Sequence, residues 1–375
     1  MDIYEPQEDS YLLASVMQSL DLKDKKVLDM GTGSGILAMT AYKQGAHVTA
    51  VDCNKQAIAQ LPSYITGIHS DMCAQVNQQF DVIVCNSPYL PQDNREQHPD
   101  IALVGGKQGY EWCVRFLDQA HNCMTTQSTL YLLFSSLSKP ETILAHAQHY
   151  YIAHCVATQH LFFETLYVYA FTLNDAIKKL RHVQVQHIRY LNEGQHGVIY
   201  TGEYQHKQVA CKLPKVGTLH KEVEALRLLY PHGIAPQLYA YEQGVLIRAF
   251  VEGICFEQWE KTFDKPTRIE YYITILKQCF IMDSMKLEKQ EMMRPHKHVF
   301  AHQNTITMID FERCHHKKNP SNVTQWLQWL WTHEYMEKQT ALVLGKQYKE
   351  EYSQHVVDAL IEHIVTYNNR QTVIK

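Results

Sequence analysis

The sequence predicts two domains: an α/β domain built on a doubly wound parallel sheet, then an α+β domain. Three observations carry this. The chain has 375 residues, and a typical domain has about 100–200. The first half alternates short apolar runs with helical segments, the pattern of a parallel sheet covered on both faces. Beyond residue 187 the alternation gives way to hairpin-like strands and then to long helical stretches.

In the first half, KKVLDMGTGSG (25–35) is an apolar run that ends at glycines, and GILAMTAYKQG (35–45) is helical and stops at Gly45. AHVTAVDCN (46–54) is a second strand ending in Asp52, and KQAIAQL (55–61) is a helix. GIHSD (67–71) and FDVIVCN (80–86) are the third and fourth strands. GYEWCVRFLDQAHNC (109–123) spaces Trp112, Cys113, Phe116, Leu117 and Ala120 as one helix face. STLYLLFSS (128–136) and FFETLYVYAFTL (162–173) complete the strands of a domain over 1–175. The polar, basic stretch at 176–187 is expected to be a linker. In the second domain, 188–375, residues 188–213 read as antiparallel strands with tight turns. Helices dominate from about 266, among them NVTQWLQWLWTHEYM (322–336) with Trp326, Trp329, Leu330 and His333 near one face.

Composition narrows the function. Apolar residues make up 45% and charged residues 20% of the chain, as in a core-forming protein. No apolar run reaches the roughly 18 residues that span a bilayer, and the acidic start MDIYEPQEDS lacks the apolar core of a secretory signal. The ten cysteines include no C-x-x-C pair, which argues against zinc and for reduced thiols in a cytoplasmic protein. Residues 1–175 hold 9 Lys/Arg against 18 Asp/Glu, whereas 176–375 hold 26 against 21. An acidic first half disfavours nucleic acid, whose affinity rests on phosphate attraction, and suits a basic protein partner.

The first half carries one constellation. VLDMGTGSG (27–35) turns from strand to helix through Gly31, Gly33 and Gly35, which let the backbone approach a ligand closely. Dinucleotide enzymes use a similar turn, but their spacing is G-x-G-x-x-G. Asp29, two residues before the first glycine, suits a ligand with an ammonium group. Asp52 can accept both hydroxyls of a ribose, and Asp71 can accept from an adenine amino group. Together they describe S-adenosylmethionine, although each acid alone also suits a helix cap. Asn86-Ser87-Pro88-Tyr89 follows at the tip of the fourth strand. Asn86 can accept one N–H of a planar NH2, the Ser87 carbonyl the other, Pro88 fixes the chain direction and Tyr89 can stack on the acceptor. Asn and Pro also make ordinary turns; the upstream glycines and Asp52, in the right order, favour the site.

Four segments, YEPQEDSYLL (4–13), VLDMGTGSGILA (27–38), FDVIVCNSPYLP (80–91) and GGKQG (105–109), make the first 173 or so residues resemble HemK/PrmC-type methyltransferases of the archaeal and eukaryotic branch. The resemblance implies a class I methyltransferase fold that uses S-adenosylmethionine. It implies methylation of the glutamine amide in the Gly-Gly-Gln motif of a release factor, and Glu8 and Asp9 over the cofactor mouth. The family pattern is Asn-Pro-Pro-Tyr, so Ser87 departs from it, with an expected loss of rigidity. Adenine methyltransferases acting on DNA or RNA share the Asn/Asp-Pro-Pro-Tyr pattern and are the competing expectation.

The second half carries another. Gly194 and Gly197 lie between two strands, Lys212 follows in the next strand, and HKEVEALRLL is helical with Glu222 and Glu224. That order suits a nucleotide site in which glycines cover phosphates and Lys212, paired to Glu222, holds them. Asp310 in MIDFERC suits Mg²⁺. GQHGVIY, ACK, GIAPQLY, IRAFVEG and IDFE, in order over about 188–330, resemble RIO-like, lipopolysaccharide-kinase-like protein kinases. The resemblance implies a two-lobed kinase-like domain that binds ATP and Mg²⁺. Where that family has a catalytic Asp and a metal-binding Asn, EMMRPHKHVF (291–300) has no Asp, with Pro295 and His298 near the two positions. Nucleotide binding is expected over efficient phosphoryl transfer. A serine/threonine kinase or pseudokinase regulator, with the first domain as docking platform, remains an alternative.

Overall fold

The computed structural model describes residues 3–93, 102–290 and 292–373; the chain divides into two compact units, Met1–Tyr190 and Leu191–Lys375. The first unit runs α1 (Glu8–Gln18), β1 (Lys26–Met30), α2 (Ile36–Lys43), β2 (His47–Asp52), α3 (Lys55–Ala59), β3 (Thr66–His69), β4 (Phe80–Asn86), β5 (Leu90–Pro91), β6 (Val104–Gly106), α4 (Glu111–Ala120), β7 (Met124–Ser135), α5 (Pro140–Ala147), β8 (Tyr151–His160), β9 (Thr165–Leu173) and α6 (Asp175–His182). Its main sheet has the order β3-β2-β1-β4-β7-β9-β8. This is a class I methyltransferase-like fold. The apolar runs at β1, β2 and β4 are those buried on both faces, as a parallel sheet between helix layers demands.

The sheet is mixed, which corrects the all-parallel expectation. β1, β2, β3, β4 and β7 pair in parallel, but β9 runs antiparallel to both β7 and β8. A four-residue connection between β8 and β9 is too short for a parallel crossover, so the chain folds back as a hairpin. β8 itself escapes sequence analysis because most of its positions face solvent and YIAHCVATQH has no apolar run. A second correction concerns residues 176–187. They are not a linker: α6 covers most of them, the Asn174 side chain caps it at the Ile177 amide (3.0 Å), and Ile177 and Leu180 are buried. Its basic last turn suits a helix C-terminus.

The second unit's sheet has the order β10-β11-β12-β14-β13, from β10 (Gln186–Glu193), β11 (Gly197–Tyr204), β12 (Lys207–Pro214), β13 (Leu238–Glu242) and β14 (Val245–Ala249), with α7 (His220–Leu229) between β12 and β13. β11 and β12 pair antiparallel across Gln205 and His206, both at positive φ (50° and 60°), the backbone of a tight hairpin. There follow β15 (Ile254–Cys255), α8 (Phe256–Thr262), α9 (Lys265–Ser284), β16 (Leu287–Glu288), β17 (Val299–His302), β18 (Thr305–Met308), β19 (His315–His316), α10 (Asn322–Thr332), α11 (Lys338–Glu351) and α12 (Gln354–Val373). An aromatic core of Phe256, Trp259, Tyr272, Trp326 and Trp329 holds α8, α9 and α10 together, with the Trp326 and Trp329 indoles stacked at 4.8 Å. Among the described residues, no helix is long and apolar enough to cross a membrane.

Candidate active site

The ends of β1, β2, β3 and β4 open into one cleft, which encloses about 1080 Å³ of empty space, open solvent included. Gly31, Gly33 and Gly35 all stand at positive φ (73°, 49° and 82°), a region costly for residues with a Cβ. The turn is fixed from outside: the Gly31 and Thr32 amides donate to the Val51 carbonyl (2.8 and 3.0 Å), and the Gly33 amide donates to Asp52 Oδ2 (2.9 Å). Asp52 Oδ1 accepts from the Asn54 amide (2.8 Å). Its carboxylate is thus rigid, with acceptor capacity left for hydroxyl groups.

The other acids do not all stand where the sequence put them. Asp29 is fully buried beneath the glycine turn, not on the cleft wall. Its Oδ2 accepts from Thr32 Oγ1 (2.7 Å) and the Ala38 amide (3.0 Å), while Oδ1 has no partner among the described residues. Burial pushes its carboxyl up to about 6, against the lowering effect of those two bonds. Asp71 lines the cleft, but is exposed and ion-paired to Arg115. Glu8 is exposed and off the cleft wall, whereas Asp9 is buried in it. The resemblance alone supplied both, and the helix turn of α1 that buries one exposes its neighbour.

The β4 tip is held from three sides. Asn86 Nδ2 donates to Ser10 Oγ (3.2 Å), which turns Asn86 Oδ1 into a shielded acceptor with no partner among the described residues. Ser87 is buried; its hydroxyl donates to the Leu133 carbonyl on β7 (2.6 Å) and accepts from Cys113 Sγ on α4 (3.2 Å). The expected loss of rigidity is therefore offset, because hydrogen bonds replace the ring constraint of a proline. The Tyr89 and Tyr4 hydroxyls both donate to Asp9 Oδ2 (3.3 and 3.0 Å), so α1 sets the tilt of the Tyr89 ring. Burial and then the Asp9 charge raise both phenols well above their ordinary value. The GGKQG segment backs this tip. A Cβ at Gly109 would stand 2.5 Å from the Tyr89 carbonyl oxygen, and one at Gly105 would collide with the Pro88 carbonyl. Only glycine lets the β6 ribbon lie this close to Pro88-Tyr89. Ser10, Tyr4 and Arg115 were not foreseen; the first two sit inside YEPQEDSYLL, where a family likeness but no spacing rule marks the segment.

In the second unit, Lys212 Nζ donates to Glu222 Oε2 (2.7 Å), Asp310 Oδ1 (3.1 Å) and Glu312 Oε2 (3.1 Å). Burial opposes its charge, but Glu222 and Asp310 outweigh that and raise its pKa above the ordinary lysine value. Oxygens of Glu222, Asp310 and Glu312 lie within 4.8 Å of one another, a hard-donor set of the kind a divalent cation takes, with the Lys212 ammonium bound to all three here. Asp310 stands at φ +60°, and the buried Lys289 donates to its backbone carbonyl. His298 Nδ1 is 3.5 Å from Asp310 Oδ2, and Pro295 is buried in a single turn before it; Glu291 lies outside the described residues. Gly197 packs against β12, where a Cβ would stand 2.8 Å from the Leu213 carbonyl oxygen, and Gly194 donates to the Gly197 carbonyl (2.9 Å). Glu312 and Lys289 were not foreseen, for nothing in the local pattern of IDFE or KLEKQ marks them.

The glycine turn, the Asp52 carboxylate and a β4 tip with a shielded amide acceptor at one cleft define an S-adenosylmethionine-dependent methyltransferase. The profile described as "Methyltransferase small domain" matches residues 7–159. A Methanocaldococcus jannaschii protein, provisionally named a protein N5-glutamine methyltransferase, is 36% identical over 154 residues, covering 38% of this chain and 77% of that protein. The chain belongs to this methyltransferase family. It is also 29% identical to a release factor glutamine methyltransferase of Bacillus anthracis, over 31% of this chain and 50% of that protein. A tRNA1(Val) (adenine(37)-N6)-methyltransferase of Shewanella baltica is 30% identical, over 33% of this chain and 59% of that protein. The chain thus spans between half and about three quarters of the length of these relatives.

Proposed function

We propose that the first unit methylates the side-chain amide of a protein glutamine, in a release-factor-like Gly-Gly-Gln acceptor. The observation that carries this is Asn86 Oδ1, shielded at the cleft and without a partner among the described residues. An orphan acceptor of this kind costs stability unless a donor fills it in use, and one N–H of a planar amide is such a donor. The Ser87 carbonyl takes the other N–H, Tyr89 stacks on the amide plane, and Asp9 and Ser10 hold both groups in position. Asp52 binds the ribose, and the glycine turn leaves room for the methionine portion. The bound cofactor supplies an electrophilic methyl group. The amide nitrogen would take up that carbon as the carbon–sulfur bond breaks, its electron pair leaving on the thioether sulfur, and would give up one proton to water, so positioning is the main contribution and no strong base is needed. The likeness to proteins named as glutamine methyltransferases supports the reading.

A second reading, N-methylation of adenine in DNA or RNA, has one observation in its favour: the comparable identity to a tRNA adenine methyltransferase. The acidic charge of residues 1–175 counts against it. Incubation with labelled S-adenosylmethionine, a release factor and a tRNA pool separates the two, since label in the tRNA alone refutes glutamine methylation. Asn86→Ala should bind the cofactor as the parent does and lose transfer by about 100-fold or more, the scale of a lost positioning contact. Transfer at the parental rate refutes its role.

For the second unit we propose a RIO-like kinase fold that binds ATP, with Lys212 and Glu222 at the phosphates, Gly194 and Gly197 over them and Asp310 on Mg²⁺. The absence of Asp from the sequence EMMRPHKHVF (291–300) supports a regulatory, weakly transferring or pseudokinase role.

A further inference from the structure

Two phenylalanines at the tip of the β8–β9 hairpin are, among the described residues, the most exposed large apolar side chains of the first unit, Phe162 at 93% and Phe163 at 86%. They are not a floppy end. The Leu161 amide donates to the Glu164 carbonyl (2.8 Å), the Thr165 amide to Ser136 Oγ (3.0 Å), and Leu161 packs on the domain core. The two rings meet edge to face at 4.6 Å. A rigid turn that holds two rings in water forfeits their burial unless a partner covers them.

Topology says where this tip stands. β9 is antiparallel to β7 and to β8, and β7 is parallel to β4. β8 therefore ends on the same side of the sheet as β1, β2 and β4, the side where the cleft opens. Glu164, the last residue of the turn, agrees with that placement: its charge helps raise both the Tyr4 and Tyr89 phenols. Its Oε2 is shielded from solvent and has no partner among the described residues. Lys139 and Arg115, basic groups at the same end, are already bound to Gln108 and Asp71.

We infer that the hairpin tip is the acceptor-docking element of the methyltransferase. It grips a polypeptide segment that flanks the methylated residue and carries a basic side chain. Phe162 and Phe163 cover the apolar part of that segment, and Glu164 receives the cation. A polypeptide, not a nucleic acid, is the occupant because the carboxylates at this end, Glu164 and Asp9, belong to a domain with twice as many acidic as basic residues. This rests on the glutamine reading for the chemistry of the acceptor, and on the hairpin alone for the docking.

The test uses the full chain and two synthetic peptides with a central Gly-Gly-Gln, one flanked by Leu and Lys, the other by Leu and Glu. The parent should methylate the Lys peptide with the lower KM. Phe162→Ser/Phe163→Ser, a surface change that leaves the core intact, should keep the parental affinity for S-adenosylmethionine and raise that KM about tenfold or more, as loss of an interface anchor does. Glu164→Lys should invert the preference between the peptides. An unchanged KM in the double variant, or an unchanged preference in Glu164→Lys, overturns the inference. Fluorescence anisotropy of the same labelled peptides reads docking without transfer. If neither peptide is methylated, binding of the Lys peptide that is lost in the double variant upholds the docking element and refutes the glutamine reading. Equal binding by both proteins, no binding, or binding of a single-stranded oligonucleotide alone overturns the docking element.

Discussion

Replacing Ser87 by Ala isolates what holds the β4 tip. The hydroxyl is buried, donates to Leu133 O at 2.6 Å and accepts from Cys113 Sγ at 3.2 Å. Ala removes both bonds and puts no new donor near the carbonyl. A buried hydrogen bond contributes about 0.5–1.5 kcal/mol net, and an orphaned buried partner costs about 1–3 kcal/mol. The thiol bond is weak, so the expected loss is about 1–3 kcal/mol. For a domain of this size each kcal/mol lowers the midpoint by roughly 2–4 °C, which puts the shift at roughly 2–12 °C in differential scanning calorimetry. The same bonds set where Asn86 and the Ser87 carbonyl point, so kcat should fall further than stability alone explains, while the cofactor dissociation constant, measured by titration calorimetry, stays at the parental value. A variant with the parental midpoint and parental kcat would show that the hydroxyl does not hold this tip.

Two further outcomes follow from the acids. Burial raises the Asp29 carboxyl from 3.8 to about 6 in the folded chain, so the folded state prefers the protonated acid. That contribution is fully present below the unfolded value and lost as pH rises through about 6, a swing on the order of 3 kcal/mol. Asp29→Asn cannot titrate, so its stability relative to the parent in urea unfolding should improve between pH 4.5 and 7.5; parallel pH profiles would sink the argument. In the second unit, Mg²⁺ with ATP at about 100 times the dissociation constant should add about 2.7 kcal/mol to stability. Asp310→Asn, which tolerates the positive φ at that position, should lose the Mg²⁺-dependent part. An equal gain in parent and variant would remove Asp310 from the metal.

Much of the first unit was legible because its information is local. β1, β2 and β4 are largely buried and read as short, mostly apolar runs; Gly31, Gly33 and Gly35 declare a turn that glycine makes at the least cost. β8 was not legible, because an edge strand with solvent on most of its positions needs no apolar pattern. Helix α6 was hidden for a related reason: two buried side chains, Ile177 and Leu180, suffice to dock it, and its remaining residues are polar. Asp29 was legible as an acid but not as a buried one, since the sequence does not say on which side of the turn a carboxylate lies.

By itself the sequence determined the strand–helix alternation from β1 to β4, the glycine turn, Asp52 at the end of β2 and the Asn86-Ser87-Pro88-Tyr89 tip, each set by covalent neighbours and backbone sterics. Tertiary structure alone decided that Ser10 binds the Asn86 amide nitrogen and leaves Oδ1 as a shielded acceptor, and that Ser87 is tied to Leu133 and Cys113. It also decided that Glu312 joins Glu222 and Asp310 around Lys212, and that Phe162 and Phe163 stand at the cleft end of the sheet. These depend on strand direction and on contacts between residues up to a hundred positions apart, which are fixed only when the chain closes on itself.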